Sequence, residues 1–195
     1  MILYGASGHG KVVYAICKDE VSSFIDDDIS LSEFEGLPVY RYEDMKLHSE
    51  KLVITIGDNR LRRNVSKKIN HSFSNVISKS SNILNGVSLG LGNQIIQSAL
   101  IQVGVNIGSH CIINSMCSID HDCLIGDFVH IAPGSTLCGN VAVGEGTMIG
   151  AGSTIVPGIE IGKWSVIGAG SVVVNNIPDK VLAFGNPAKI IKKID

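Results

Sequence analysis

Two histidines in the segment "SIDHDCLIGDFVHIAPG", residues 118–134, have side chains suited to acid–base chemistry. His121 lies between two aspartates, and a carboxylate beside an imidazole orients the ring and raises its basicity. His130 follows nine positions later in the same segment. The nearby "CGN" at 138–140 offers glycine amides that could face a polarised carbonyl group. Together these residues suit a reaction at a carbonyl carbon, provided that the fold brings them together.

The element that carries both histidines is a repeat of six residues. Every sixth residue from Ile77 to Val173 is aliphatic. This period fits neither an α-helix nor an alternating strand, and it is typical of a chain that turns a corner after each short strand, with three strands per coil. The 17 aliphatic positions make nearly six coils, which predicts a prism roughly 25–30 Å tall. Glycine follows the aliphatic residue at one corner of each coil, at Gly90, Gly108, Gly126, Gly144 and Gly162.

The register of the repeat separates interior from exterior positions. The residue four places after each aliphatic one is usually small or β-branched and would fill the narrow interior. Cys111, Cys117 and Cys123 occupy such positions on three different walls, so we interpret them as core residues and not as zinc ligands. The same register points His121 and His130 outward. Because their separation in the sequence is half a coil, the two histidines fall on different walls, and a second prism packed alongside would have to bring them together.

The segment 1–74 follows another pattern, in which strands and helices alternate. "MILYG", "VSSFIDDD" and "KLVITIGDN" are typical of strands, which predicts a small Rossmann-like α/β domain. The predicted helices are "HGKVVYAICKD", with Val12, Val13, Ile16 and Cys17 on one side, and "NRLRRNVSKKIN", with Leu61, Val65 and Ile69 inward.

Polar loops follow the three strands at Ser7-Gly8-His9, Asp26-Asp27 and Gly57-Asp58-Asn59. Ligands of open parallel sheets bind beyond the carboxyl ends of the strands. A glycine loop that opens a helix favours phosphate, and acids about 20 residues further on favour ribose or base donors. The loop reads G-x-x-G-x-G, so the dinucleotide fingerprint fails on spacing. The pattern predicts a nucleotide site, and a plain βα turn that needs glycines is the alternative.

Composition excludes several classes of protein. The net charge is −2 and no long basic block occurs, which argues against a nucleic-acid partner. No apolar run approaches the roughly 20 residues of a membrane span, and the start lacks the layout of a signal peptide. The five cysteines include no CxxC pair, which indicates reduced thiols and a cytoplasmic location.

The whole chain resembles the bacterial nucleotide-amino-sugar N-acetyltransferases of the hexapeptide superfamily, in particular those that act on UDP-4-amino-sugars. The matching segments are "YGASGHG", "FIDDD", "ITIGDNRLRR", "SIDHDCLIGDFVHIAPGSTLCGNVAVG" and "FGNPAK", in that order. The resemblance implies a Rossmann-like domain at 1–74, a left-handed parallel β-helix at 75–178 and a tail at 179–195 near the coenzyme A site. It also implies a homotrimer with each active site between two prisms.

The resemblance further implies a role for individual residues. His121 would be the general base for the sugar amine and Asp122 its carboxylate partner, where the relatives have the longer glutamate. Acetyl-CoA would be the co-substrate, no metal would be needed, and His130, Gly139, Ala151 and Ala169 would line the acetyl-CoA site. The nucleotide sugar would bind at Ser7, Gly8, His9, Asp26, Asp27 and Gly57. The tail would offer Lys189, Lys192 and Lys193 to the phosphates of the coenzyme.

Two other functions compete with this interpretation. An O-acetyltransferase of the sialic-acid type would use the same scaffold and the same His121. A zinc lyase similar to the γ-carbonic anhydrases would need three histidines at a subunit boundary, for which His110, His121 and His130 are the candidates. The sequence leaves open the sugar, the nucleotide, the position of the acceptor amine and the length of the acyl chain. Cys138 directly follows an inward leucine, so we do not interpret it as an acyl carrier.

Overall fold

A computed structural model describes residues 1–43 and 50–195 of the chain. The first part is an α/β domain with a five-stranded sheet and two helices. Its elements are β1 (Ile2–Tyr4), α1 (Gly8–Cys17), a 3-10 turn (Lys18–Glu20), β2 (Ser23–Ile25), β3 (Glu33–Phe34), β4 (Leu37–Tyr40), β5 (Leu52–Ile54) and α2 (Asn59–Lys68). The strand order is β3-β4-β2-β1-β5, and only the β3–β4 pair is antiparallel. The prediction of a Rossmann-like α/β domain is confirmed.

The two helices bury most of the residues predicted to face inward: Val13, Cys17 and Ile69 are buried, and Ile16 and Val65 pack against the core. In α1, Val13 is buried as expected, whereas Val12 lies at the surface. In α2, Leu61 is 56% exposed, and the following residue, Arg62, is 0% exposed. The inward placement of Leu61 was therefore wrong. Asp58 caps the start of α2 by accepting a hydrogen bond from the Leu61 N–H at 2.8 Å, and this register turns Arg62 toward the interior.

The second part is a parallel β-helix with three flat walls, as the six-residue period predicts. Wall I contains β6 (Val76–Ile77), β9 (Gln94–Ile95), β12 (Ile112–Ile113), β15 (His130–Ile131), β18 (Met148–Ile149) and β21 (Val166–Ile167). Wall II contains β7 (Asn82–Ile83), β10 (Leu100–Ile101), β13 (Ser118–Ile119), β16 (Thr136–Leu137), β19 (Thr154–Ile155) and β22 (Val172–Val173). Wall III contains β8 (Ser88–Leu89), β11 (Asn106–Ile107), β14 (Leu124–Ile125), β17 (Ala142–Val143) and β20 (Glu160–Ile161). Each strand pairs in parallel with the equivalent strand of the next coil, for example Ile113 with Ile131.

The aliphatic ladder forms the core of the prism. From Ile95 to Val173 every one of its members is buried. Ile77, at the open end of the prism, is 42% exposed because no earlier coil covers it. The cysteines that we predicted to be core residues are buried as well, and the Cys111 thiol donates to the Gly126 carbonyl of the next coil at 3.0 Å. Burial raises the pKa of the Cys111 thiol to about 12, as expected for an inert core position.

Glycine at the repeating corner serves close packing of the coils. A Cβ atom at Gly126 would lie 2.7 Å from the Glu145 main-chain nitrogen of the next coil. The left-handed backbone conformation occurs two residues further on, and several of those positions are not glycine: φ is 57° at His110, 59° at Phe128 and 54° at Trp164. Such values are unusual for residues with a side chain. At these corners the residue in the left-handed conformation therefore has a side chain, and the turn fixes the direction of that side chain.

The tail extends wall I. β23 (Val181–Gly185) runs parallel to β21, and β24 (Ala188–Lys193) returns antiparallel to β23. None of the helices in the described part of the chain is long and apolar enough to cross a lipid bilayer.

Candidate active site

His121 lies on the corner between walls II and III, directly after β13, and its side chain is 48% exposed. Its Nδ1 atom is 2.9 Å from Oδ2 of Asp122. Because an ionised carboxylate only accepts hydrogen bonds, Nδ1 carries the proton of the neutral ring and Nε2 keeps its lone pair. The hydrogen bond to Asp122 raises the pKa of His121 above its usual value, and the neighbouring Asp120 adds to the effect. The imidazole is therefore oriented and made more basic, as the sequence predicts.

Gly139 lies under the His121 ring, at the same corner of the next coil. A Cβ atom at Gly139 would be 2.5 Å from His121 Nε2 and 2.6 Å from Cε1, so only glycine leaves room for the ring in this position. The Gly139 carbonyl accepts a hydrogen bond from the Gly158 N–H at 3.0 Å. Within the described part of the chain, the Gly139 N–H donates to no protein acceptor. A glycine with an unused main-chain donor thus lies beside Nε2 of the imidazole.

The left-handed turn at Asp122 completes this corner. The Asp122 carboxylate occupies the space above Gly104, where a Cβ atom would be 2.3 Å from its Oδ1. The Asp122 N–H donates to the Val103 carbonyl at 3.1 Å and fixes the turn from below. A carboxylate one methylene shorter than glutamate therefore reaches the imidazole with good hydrogen-bond geometry.

The three polar loops of the α/β domain meet at the carboxyl edge of its sheet, because β1 lies between β2 and β5. The Asp26 carboxylate accepts from the Ala6 N–H at 2.7 Å, which joins the second loop to the glycine loop. Asp27 accepts from the Tyr4 hydroxyl at 2.8 Å. Gly10 is required here, since a Cβ atom would be 2.1 Å from the Gly5 carbonyl oxygen. Ser7 and Gly8 remain exposed at the start of α1, where free helix amides can meet an anion.

This edge of the sheet faces wall I, where it meets His130. The rings of His9 and His130 lie 6.4 Å apart, centroid to centroid. His9 Nε2 donates to the Gln94 Oε1 at 2.8 Å, because the Gln94 amide nitrogen is already committed to the Ile54 carbonyl at 2.9 Å. The first and third loops thereby lie against the β-helix, and His130 lies beside them.

His130 is held in one neutral form. Asn114 accepts from the Ser115 N–H through Oδ1 at 2.8 Å, so its Nδ2 faces His130 Nε2 at 3.2 Å and donates to it. Burial lowers the pKa of His130 to about 4, and the nearby positive charge of Arg62 adds to this effect. His130 is therefore a neutral ring at physiological pH whose Nε2 lone pair is occupied.

The remaining predicted site residues lie elsewhere on the prism. Ala151 and Ala169 are exposed and stack one coil apart on the corner between walls I and II. Lys189, Lys192 and Lys193 are exposed on β24. A single chain thus holds the three polar loops and His130 at wall I, and His121 with Gly139 at the opposite corner.

Comparison with known proteins shows the family to which this chain belongs. Residues 1–69 match the PglD N-terminal domain model, and residues 140–175 match the bacterial transferase hexapeptide model. The structure of PerB from Caulobacter crescentus, in complex with CoA and GDP-perosamine, is 35% identical over 98% of this chain and 96% of that one, with a TM-score of 0.93. The chain belongs to the hexapeptide-repeat N-acetyltransferases of nucleotide amino sugars.

Two further structures resemble this acetyltransferase over nearly their full length. The acetyltransferase domain of PglB from Neisseria gonorrhoeae, with acetyl coenzyme A, is 30% identical over 97% of this chain and 98% of that one, with a TM-score of 0.91. WeeI from Acinetobacter baumannii is 29% identical over 97% and 98% of the two chains, with a TM-score of 0.82. The resemblance inferred from the sequence motifs is confirmed.

Sequence reasoning missed three polar residues that contact the predicted site residues. Gln94 and Asn114 fix the rings of His9 and His130, and Arg62 joins the two domains. Gln94 and Arg62 are completely buried, which neither the helical pattern nor the hexad register predicts for polar residues. The only available signal was the position of Gln94 and Asn114 beside aliphatic hexad positions on wall I.

The histidines proposed as zinc ligands have separate environments in the acetyltransferase. His110 is buried between aromatic rings, stacked on Phe128 at 5.1 Å and edge-on to Phe73 at 4.4 Å. The His110 ring is therefore largely covered within its own chain, whereas the side chain of His121 is exposed. Among residues 1–43 and 50–195, no group of three or more His, Cys, Asp or Glu side chains is placed to hold a metal ion.

A groove of about 1010 Å³ lies along wall III of the acetyltransferase. Its lining is mostly glycine and aliphatic side chains, and neither His121 nor His130 belongs to it. The residues predicted to carry the chemistry therefore lie outside this groove.

Proposed function

We propose that this acetyltransferase moves the acetyl group of acetyl-CoA onto the amine of a nucleotide-linked 4-amino-4,6-dideoxy sugar, with His121 as general base. The observation that carries the proposal is the His121–Asp122 pair over Gly139 on an open corner. The CoA and GDP-perosamine bound to the Caulobacter relative, and the acetyl coenzyme A bound to the Neisseria domain, support the choice of substrates.

The reaction is a direct transfer in a ternary complex. The sugar amine attacks the thioester carbonyl carbon, a C–N bond forms, and negative charge develops on the carbonyl oxygen. His121 Nε2 takes the proton that the nitrogen loses, and the unused Gly139 N–H donates to the oxyanion. The C–S bond then breaks, and the imidazolium returns its proton to the CoA thiolate. The products are an amide and a free thiol, and the enzyme is unchanged.

The two histidines have different tasks in this scheme. Asp122 holds the proton on Nδ1 of His121 and stabilises the imidazolium that forms during the transfer. His130 is neutral and its Nε2 is occupied by Asn114, so it serves as a contact for acetyl-CoA near the thioester and not as a proton acceptor.

The active site needs two copies of the chain. The nucleotide loops lie at wall I and His121 lies at the opposite corner, so we place the substrates of one copy against His121 of the next, in a homotrimer. The pantetheine arm would follow Ala151 and Ala169, and the tail lysines would meet the coenzyme phosphates. The nucleotide sugar would bind at Ser7, Gly8, His9, Asp26, Asp27 and Gly57. The exposed main-chain amides at Ser7 and Gly8 support the phosphate position.

A thiol-release assay with acetyl-CoA tests this function. The acceptors are a UDP-4-amino-4,6-dideoxy sugar, GDP-perosamine and, for O-transfer, a sialic acid. We expect release only with the amino sugars, and we expect the UDP-linked one to react best. His121→Ala should lower kcat by about 10²–10⁴-fold, since that is the usual contribution of a positioned base. The variant should fold normally, because the exposed ring leaves no cavity.

Cys138→Ser is the matched control for an acyl-enzyme route and should keep wild-type activity. Full activity of His121→Ala, or full activity of a monomeric protein in size-exclusion chromatography, would contradict the proposal. Reaction with sialic acid alone would assign the O-acetyltransferase activity instead. Stoichiometric zinc together with CO₂ hydration would assign the lyase.

A further inference from the structure

Arg62 is a buried cation at the junction of the two domains. Its side chain is completely buried, on the first turn of α2, shortly after the Gly57 loop. In the described part of the chain no carboxylate lies within ion-pair distance of its guanidinium, although buried charges are normally paired. Burial lowers its pKa to about 10, so it remains charged at neutral pH.

Each of the five N–H donors of the guanidinium has its own acceptor. Nη1 donates to the Ile56 and Gly57 carbonyls at 2.8 and 3.2 Å, which lie in the third nucleotide loop. Nε donates to the His110 carbonyl at 2.8 Å, and Nη2 to the Phe128 carbonyl at 2.9 Å; both acceptors lie on one corner of the β-helix. The last acceptor is Oδ1 of Asn59 at 2.7 Å. The fork of an arginine is the only natural side chain with this many fixed donors.

Asn59 extends the same connection. Its Nδ2 donates to the Gly146 and Thr147 carbonyls at 3.1 and 3.3 Å, so the start of α2 is joined to the β-helix in two ways. The carbonyl bonds of Arg62 join the Gly57 loop on one side to the β-helix corner of His110 and Phe128 on the other. Burial, and after it the charge of Arg62, also lowers the pKa values of His110 and His130.

We infer that Arg62 is a positioning residue for the nucleotide-sugar site, which fixes the Gly57 loop against the β-helix in the position where the loop meets the nucleotide sugar. The inference rests on the proposed function for its substrate. A residue that only held the domains together would affect stability and leave the KM values unchanged. A residue that positions the loop affects the KM of the nucleotide sugar and leaves that of acetyl-CoA nearly constant.

Arg62→Lys is the decisive variant, because lysine keeps the charge but has three donors for five acceptors. With the amino sugar that the wild type uses best, we expect its KM to rise at least 10-fold and the KM of acetyl-CoA to stay within twofold. Hydrogen exchange of the segment 55–59 should become faster, while exchange on wall II stays unchanged. If this variant does not fold, Asn59→Ala removes one acceptor and should change both readouts in the same direction by a smaller amount.

Two controls accompany this variant. Arg63→Lys changes the neighbouring residue, which is 37% exposed and paired with Glu145 at 3.2 Å, and should behave as wild type. Val173→Ala lowers core stability at the far end of wall II and should leave both KM values unchanged. Unchanged KM values and unchanged exchange in Arg62→Lys, or the same rise in KM in Val173→Ala, would overturn the inference. The exchange measurement needs no turnover, so it still decides whether Arg62 fixes the Gly57 loop when a wild type that acetylates no amino sugar contradicts the proposed function.

Discussion

Replacing Gly139 by alanine moves the proposed base without removing it. The new Cβ atom would lie 2.5 Å from His121 Nε2, and an ordinary contact needs about 3.5 Å, so the ring must shift by about 1 Å. A displacement of this size typically costs about 100-fold in rate, or about 2.7 kcal/mol of transition-state stabilisation. The Gly139 backbone is not in the left-handed region and the main-chain N–H is kept. Only the position of the imidazole therefore changes.

The assay is kcat from thiol release, measured together with thermal unfolding. Gly139→Ala should lose about 100-fold in kcat and keep its Tm, because the exposed ring can move aside. Gly86→Ala is the matched control on the same corner of an earlier coil: nothing lies within 4 Å of the new Cβ, but φ is +85°. Because alanine is strained at this positive φ, the variant should be roughly 1–2 kcal/mol less stable than the wild type. Its kcat should equal that of the wild type. Wild-type kcat in Gly139→Ala would refute the placement of the reacting amine beside Nε2.

Two pH-dependent predictions follow from the histidine environments. Asp122→Asn replaces the charged acceptor that raises the pKa of His121 with a neutral amide, so the acid limb of the kcat/KM profile should move to lower pH and the maximal rate should fall. An unmoved limb would separate His121 from the proton transfer. Burial lowers the pKa of His110 to about 4, so protons bind the unfolded chain more tightly and stability is lost as pH falls from about 6.5 toward 4. Asparagine tolerates the local φ of 57°, so His110→Asn should fold normally. In urea unfolding, its free energy of unfolding should fall less between pH 6.5 and pH 4 than that of the wild type. An equal fall would show that His110 is not the source of the pH dependence.

Much of the fold follows from the sequence because its signals are periodic. In-register pairing of strands from successive coils requires only the six-residue aliphatic ladder, and the observed pairing follows it. The contact of His121 with Gly139 follows from the same arithmetic, since the two residues are one coil apart. The meeting of three polar loops likewise needs only parallel strands in a Rossmann-like order.

The sequence-based prediction was wrong at the junction of the two domains, where the surface of the β-helix determines which residues of α2 are buried. The helical pattern favours Leu61 inside, because a leucine gains more from burial than an arginine. The structure buries Arg62 instead, since the carbonyls at the domain junction supply acceptors for all five of its donors. No periodic signal reports such acceptors, which come from the β-helix corner and from the Gly57 loop.

The sequence by itself determined the prism, its core, the outward direction of His121 and its carboxylate partner, because these depend on spacing within one repeat. The tertiary structure decided the charge state of His130, the burial of His110 and the role of Arg62. These properties depend on desolvation and on hydrogen bonds between residues distant in the chain. Burial at a domain junction is set by the partner surface, and a one-dimensional pattern carries no information about that surface.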